Sequence, residues 1–144
     1  MKNVIMVFFL VTSGYGFSQQ ASRTYLELNG GAALLEEFTF PGLSFLVGRQ
    51  YFVSEKVFIE FQGGLAFPTI VTAKSGIGIS LKHIGVSAGL RVFPTLAYFQ
   101  LHLPFKNSQL NVSAETALFS EWFSIAQHIF TIGYQWNIGK SRIN

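Results

Sequence analysis

The 144-residue sequence contains no cysteine and no aspartate. Without cysteine, the chain can form no disulfide bond and no thiolate metal site, and it cannot carry a lipid on an N-terminal cysteine. Charged residues make up 12% of the chain, against roughly 25% in typical globular domains. A surface this poor in charge would be badly soluble, so we expect something other than water to cover much of it.

The sequence also lacks an apolar run as long as a membrane helix, and its longest one lies near the N-terminus. Residues 4–11 form an apolar run behind Lys2, and Gly16 and Ser18 occupy the small-residue positions of a cleavage site. This pattern is typical of a secretory signal peptide, residues 1–18, which predicts a mature domain over 19–144. Elsewhere no stretch approaches the ~20 apolar residues that a membrane helix needs, so any membrane insertion must use strands.

The composition gives little support for nucleic-acid, metal or cofactor binding. The net charge is only +3, and the ten Lys and Arg residues are scattered along the sequence without a basic stripe that alternates with aromatics. No three histidines or carboxylates cluster at the spacing of metal ligands. We therefore expect no nucleic-acid partner, no metal and no cofactor.

Apolar and small or polar residues alternate through most of the mature chain. The segment 130–140, for example, alternates large apolar groups with Thr, Gly, Gln and Asn. A period of two predicts strands, and each segment is close to the 9–11 residues that cross a bilayer as a tilted strand. The eight predicted strands are 24–33, 42–50, 57–66, 76–82, 84–92, 96–103, 110–118 and 130–140.

Proline marks the predicted connections. All four prolines fall between the predicted strands, where a missing N–H breaks no ladder. Phe-Pro pairs at 40–41, 67–68 and 93–94 recur at the length of one strand pair, which predicts that these connections share one end of a barrel. Short polar turns and both termini are expected at the other end. The predicted polar turns are 53–56, 82–83 and 106–109, and the predicted loops at the Phe-Pro end include 34–41, 67–75 and 119–127.

Two architectures share this alternation, and they differ in which face of the strands points out of the barrel. A soluble secreted barrel would turn its aliphatic face inward, so that Leu28, Phe45, Ile59 and Phe99 would line an apolar ligand cavity. A membrane barrel would turn that face to lipid. The second face carries few charges and mostly small or amide residues, which suit a narrow lumen better than a wet surface. We therefore predict an all-β fold, an eight-stranded antiparallel up-and-down transmembrane β-barrel with a side-chain-filled lumen.

The second face supplies the candidate functional residues. Its polar side chains could form a track for solute or protons, but paired charges that plug the lumen are favoured, because an unpaired buried charge is strongly destabilising. The predicted lumen network comprises Glu27, Glu60, Lys82, Arg91, Gln100, His102 and Glu115. The predicted lipid-interface aromatics are Trp122, Phe130, Tyr134 and Trp136.

In this architecture the chain resembles the small eight-stranded outer-membrane barrels of Gram-negative bacteria, the OmpX- and OmpA-like barrel domains. The segment "TIGYQWNI", with Thr131, Gly133, Trp136 and Ile138, resembles the C-terminal signal that barrel-assembly machinery recognises, although six residues follow it here. The resemblance implies an outer-membrane location, contact with lipopolysaccharide and insertion by that machinery. It also implies an envelope-structural or surface-interaction role.

Some barrels of this group are lipid A-modifying enzymes that use serine and histidine. A serine nucleophile needs a base within hydrogen-bonding reach. His128, with Ser124 and Glu121 in the preceding loop, is the best such set in this sequence, but a His-x-Ser pattern is absent. We therefore expect a protein without enzymatic activity, and the lipid-modifying enzyme remains the alternative.

Overall fold

The computed structural model describes residues 21–34, 38–118 and 127–141, and the predicted signal peptide lies outside these ranges. Within them the chain forms eight strands. These are β1 (Ser22–Leu34), β2 (Thr39–Phe52), β3 (Val57–Phe67), β4 (Ile70–Ser80), β5 (Gly85–Val92), β6 (Leu96–Pro104), β7 (Ser108–Ala117) and β8 (His128–Ser141). No helix in the described ranges is long and apolar enough to cross a membrane.

The eight strands close into one antiparallel barrel, which confirms the predicted fold class. Each strand pairs with the next along the chain, and β8 pairs with β1 along its whole length. Ser22 pairs with both Tyr51 and Ser141, so the barrel begins and ends at the same end, as predicted. We call this the terminal end; it also carries the turns at 53–56, 81–84 and 105–107. The opposite end, with the turns at 68–69 and 93–95, is the Phe-Pro end.

The barrel is apolar outside and polar inside. Among the described residues, 28 large hydrophobic side chains are exposed, whereas only eight hydrophobic residues are buried. Seventeen polar or charged residues are buried. Leu28, Phe45 and Phe99 are all about half exposed, so they do not line an inner apolar cavity, as the soluble alternative would require. The aliphatic face points outward, as the membrane architecture requires.

Strand β4 is longer than predicted. The predicted loop 67–75 is reduced to the turn at 68–69, because β4 already begins at Ile70. The residues of β4 alternate from Val71 onward, so Val71 and Ala73 face outward while Thr72 and Lys74 point into the barrel. This adds a cation to the lumen that the sequence pattern did not place there.

Two of the four prolines lie within strands, which corrects the prediction that all sit in connections. Pro41 pairs with Ala32 of β1, at a level where the β2–β3 ladder has already ended. Pro104 pairs with Gln109 of β7, beyond the end of the β5–β6 ladder. At each proline the strand has a neighbour on one side only, because the strand on its other side has already ended. The missing proline N–H therefore removes no hydrogen bond to that second neighbour.

Glycines make room for large side chains inside the barrel. Tyr98 on β6 stands opposite Gly89 on β5, Gly89 opposite Gly76 on β4, and Gly76 opposite Glu60 on β3. A Cβ added at Gly76 would overlap the Tyr98 hydroxyl. The Tyr98 side chain therefore crosses two strands that carry no side chain at this level, and its hydroxyl reaches Glu60.

Candidate functional site

The polar interior of the barrel contains one carboxylate that holds two cations. Glu115 on β7 accepts a hydrogen bond from Lys74 Nζ at 2.5 Å and another from Arg91 Nη1 at 2.7 Å. The Glu115 side chain is completely buried, and the two cationic side chains are at most 7% exposed. Arg91 Nε also donates to the Thr72 hydroxyl at 2.7 Å. This cluster joins β4, β5 and β7 across the lumen, so it fixes the barrel from within.

A second carboxylate is bound by neutral donors. Glu60 Oε1 accepts hydrogen bonds from the Ser87 hydroxyl at 2.8 Å and the Tyr98 hydroxyl at 3.0 Å. Its Oε2 accepts one from Gln50 Nε2 at 3.3 Å. Glu60 is completely buried and has no cationic partner among the ion pairs of the described residues. Three donors from three different strands take the place of a counter-charge.

His102 connects this second carboxylate to Glu27 on β1. His102 Nε2 lies 2.8 Å from Ser87 Oγ, and His102 Nδ1 lies 2.9 Å from Asn111 Oδ1. Asn111 Nδ2 in turn donates to Glu27 Oε2 at 2.6 Å. Gln109 Nε2 links the His102 ring to Asn111, because it lies 2.7 Å from His102 Nδ1 and donates to Asn111 Oδ1 at 2.8 Å. A chain of hydrogen-bonding groups therefore runs from Glu60 to Glu27 through the His102 imidazole and the Gln109 amide.

The Ser87, His102 and Asn111 side chains have the spacing of a nucleophile, a base and an orienting group, but the hydrogen-bond directions do not fit that role. The single hydroxyl proton of Ser87 is donated to Glu60. His102 Nε2–H must then donate to Ser87 Oγ, and the unprotonated Nδ1 accepts from Gln109 Nε2 at 2.7 Å. Ser87 is also buried under this network. The imidazole is thus arranged to stabilise the interior and not to take a proton from the serine.

The structure places six of the seven predicted lumen residues inside the barrel: Glu27, Glu60, Arg91, Gln100, His102 and Glu115. The seventh prediction, Lys82, is wrong. Lys82 lies in the turn after β4 and is exposed, because β4 ends at Ser80 and the alternation stops there. Lys74, eight residues earlier and within β4, is the lysine that enters the lumen.

Sequence reasoning did not predict several members of the network. Thr72 and Lys74 were assigned to a loop, and Gln109 to a turn, yet all three are buried in strands. The two-residue alternation could have identified them, because residues separated by an even number share one face of a strand. Thr72 and Lys74 lie four and two residues before Gly76, and Gln109 lies two residues before Asn111. The Thr, Lys and Ser content of the segment obscured that alternation.

Aromatic side chains ring the outside of the barrel near both ends. Phe130, Tyr134 and Trp136 are exposed on β8, as predicted for lipid-interface residues, while Trp122 lies outside the described residues. The Tyr134 and Trp136 rings meet edge to face at 4.8 Å, and the Tyr134 hydroxyl donates to Ser108 Oγ at 2.7 Å. Near the Phe-Pro end the exposed aromatics include Phe38, Phe40, Phe67 and Phe93. The Tyr134 and Trp136 rings are amphipathic, which suits a boundary between lipid and water.

The predicted catalytic set is only partly described. Ser124 and Glu121 lie outside the described residues, and His128 is exposed at the start of β8. Within the described ranges no three His, Asp or Glu side chains form a group that could hold a metal ion. The functional chemistry that the described residues do bring together is the interior network.

Comparison with known proteins supports the fold only. No protein-family model and no curated protein matches the chain. A solved structure from work on the de novo design of transmembrane β-barrels is similar over 84% of this chain and 98% of its own, with 17% sequence identity and a TM-score of 0.53. At that identity the similarity shows a shared barrel fold and nothing more.

Proposed function

We propose that the protein is an integral outer-membrane β-barrel with an envelope-structural or surface-interaction role and without enzymatic activity. The observation that carries this proposal is the inverted distribution of polarity: among the described residues, 28 large hydrophobic side chains are exposed, and the interior of the closed barrel is mainly polar. In water such a surface would drive aggregation, because contiguous exposed apolar surface of this extent is a binding or membrane surface. In lipid it is the expected outer face of a barrel.

The strand lengths support a membrane-spanning barrel. β3 and β4 contain 11 residues each. At about 3.3 Å per residue and a tilt of about 40°, such a strand rises about 25 Å, which matches the apolar band of known membrane barrels. Barrel closure also pairs every strand with two neighbours, as hydrocarbon requires. The segment from Thr131 to Ile138, which resembles the assembly signal, supports the outer membrane as the location.

The filled interior supports a structural role over conduction. The carboxylates of Glu60 and Glu115 and the cations Lys74 and Arg91 hold one another or neutral donors across the lumen. An eight-stranded barrel has interior room for little more than its own side chains. We therefore propose that the barrel acts through its surface and its stability, with no aqueous pore.

Fractionation of expressing cells tests the location, and a pair of lysine variants tests whether the outward face of the barrel contacts lipid. We expect recovery in the outer-membrane fraction and a folded band that changes its migration on a gel only after boiling.

V112K places a charge on the outward face near the middle of β7, which should destabilise insertion by about 2–4 kcal/mol and lower the folded, membrane-bound fraction. N107K adds the same charge to the exposed turn before β7 and should leave that fraction unchanged. A soluble wild-type protein, or equal behaviour of both variants, would contradict the proposal.

A further inference from the structure

The barrel has a polar vestibule at its terminal end. This cavity of about 220 Å³ opens between β1, β2 and the turns that follow β4 and β6. Its polar lining consists of Arg23, Gln50, Ser80, Lys82, His102 and Gln109. Phe52, Phe58, Leu81 and Pro104 form its apolar wall, and none of the described carboxylates is among its lining residues. Among the described residues the vestibule therefore combines two cations with neutral groups, and the buried Glu60 contacts its lining only through Gln50.

The two cations are held on opposite sides of the opening. Arg23 belongs to β1, and Lys82 belongs to the turn between β4 and β5, half of the barrel circumference away. The Arg23 guanidinium lies 5.5 Å from the centre of the Phe52 ring, which orients its planar donors. The ion pairs of the described residues involve only Glu115 with Lys74 and Arg91. Within that part of the chain, Arg23 and Lys82 thus have their charges available to a ligand.

The wider charge distribution favours an anion at this end. Although Lys and Arg are scattered in the sequence, the fold gathers the described ones that lie outside the lumen at the terminal end: Arg23, Arg49, Lys56, Lys82 and Lys106. Glu55 is the one carboxylate in the described turns of this end. The field of such a cluster raises the local concentration of anions and steers them to the opening.

The cavity at the Phe-Pro end differs from the vestibule in its lining and in its charge. It has about 200 Å³ and is lined mainly by apolar residues such as Phe40, Leu43 and Phe67. Arg91 is its one cation among the lining residues, and Arg91 is already bound to Glu115 and Thr72. An anion would therefore find a bound cation and an apolar wall there.

We propose that the terminal-end vestibule binds a phosphate group, held between Arg23 and Lys82. Guanidinium and ammonium groups both bind phosphate oxygens, the first through a planar pair of donors and the second as a point charge. The phosphate can belong to a soluble anion or to the headgroup of a lipid at the rim of the barrel. The site does not depend on the outer-membrane location proposed above.

The first test is phosphate binding by the full mature protein in an uncharged detergent, measured by equilibrium dialysis with labelled inorganic phosphate. A parallel arm uses nanodiscs of phosphatidylcholine with phosphatidylglycerol, and native mass spectrometry counts the anionic lipids retained. We expect saturable binding in at least one arm. Binding of inorganic phosphate identifies a soluble anion, and retention of lipid alone identifies a headgroup.

Three variants separate a site from a diffuse charge effect. R23Q and K82Q should each weaken binding at least about tenfold, because each removes a charge-assisted hydrogen bond. K106Q removes the same charge from an exposed turn of the same end that does not line the vestibule, and it should change binding less than about twofold. Heat-modifiable migration checks that each variant is folded. No saturable binding in either arm, or the same loss for all three variants, would overturn the proposal.

Discussion

Replacement of Glu115 by glutamine removes the carboxylate that forms both ion pairs of the described residues, with Lys74 and Arg91. The two contacts measure 2.5 and 2.7 Å, and all three side chains are buried. At an effective dielectric constant of about 20, each contact contributes roughly 6 kcal/mol of gross Coulomb energy, most of which offsets desolvation. Removal of one partner of a buried ion pair destabilises by about 3–5 kcal/mol, because uncompensated charge is left behind. We expect a loss of that size for E115Q.

Urea unfolding in detergent micelles, followed by tryptophan fluorescence, measures this loss. With a denaturant dependence of about 2 kcal/mol per M, the unfolding midpoint of E115Q should fall by about 2 M. E55Q removes a carboxylate from an exposed turn and should leave the midpoint within about 0.3 M of the wild type. The neutral triple variant K74M/R91M/E115L should recover most of the loss, since no charge remains buried. An unchanged midpoint in E115Q would refute the ion-pair account of the interior.

Two further predictions concern the packing inside the barrel. G89A should destabilise the barrel by about 1–3 kcal/mol, because its Cβ would overlap the Ser75 carbonyl oxygen and the Gly76 Cα. G63A, whose Cβ would lie 3.9 Å from the Thr72 carbonyl oxygen, an ordinary contact, should change the unfolding free energy by less than about 0.5 kcal/mol. The same urea titration compares the two variants, and equal effects would contradict the glycine argument. Y98F removes one of the hydrogen bonds to Glu60 and should lower stability by about 1.5–3 kcal/mol in that titration. A neutral effect of Y98F would mean that Glu60 does not need this donor.

The strand number and the facing of each strand could be predicted because they follow from local alternation. On β5, Val86, Ala88 and Leu90 alternate with Ser87 and Gly89, and the larger side chains of the series are the ones that face outward. The small size of the inner residues already indicated a narrow, filled lumen. Barrel closure then follows, since a strand edge cannot remain unpaired in lipid.

The partners inside the lumen could not be predicted, because they depend on register across the barrel. The pairing of Lys74 with Glu115 joins residues 41 positions apart, and no local pattern indicates such a contact. The same limit explains the error at Lys82, where the alternation was extended past the true end of β4 at Ser80. It also explains why the clustering of basic residues at one end was not foreseen: the turns at 53–56, 81–84 and 105–107 are distant in sequence and meet only in the closed barrel.

Collision of spin labels with oxygen and with a water-soluble nickel complex tests most directly whether the apolar outer face meets lipid. The chain contains no cysteine, so a single introduced cysteine gives one labelled position. Labels at Ala88 on β5 and Phe99 on β6 report on the outward face, and a label at Lys82 reports on the terminal-end turn. In bilayers, oxygen should dominate the collisions at the first two positions and the nickel complex those at the third. Equal access of the nickel complex to all three positions would contradict the membrane-barrel account.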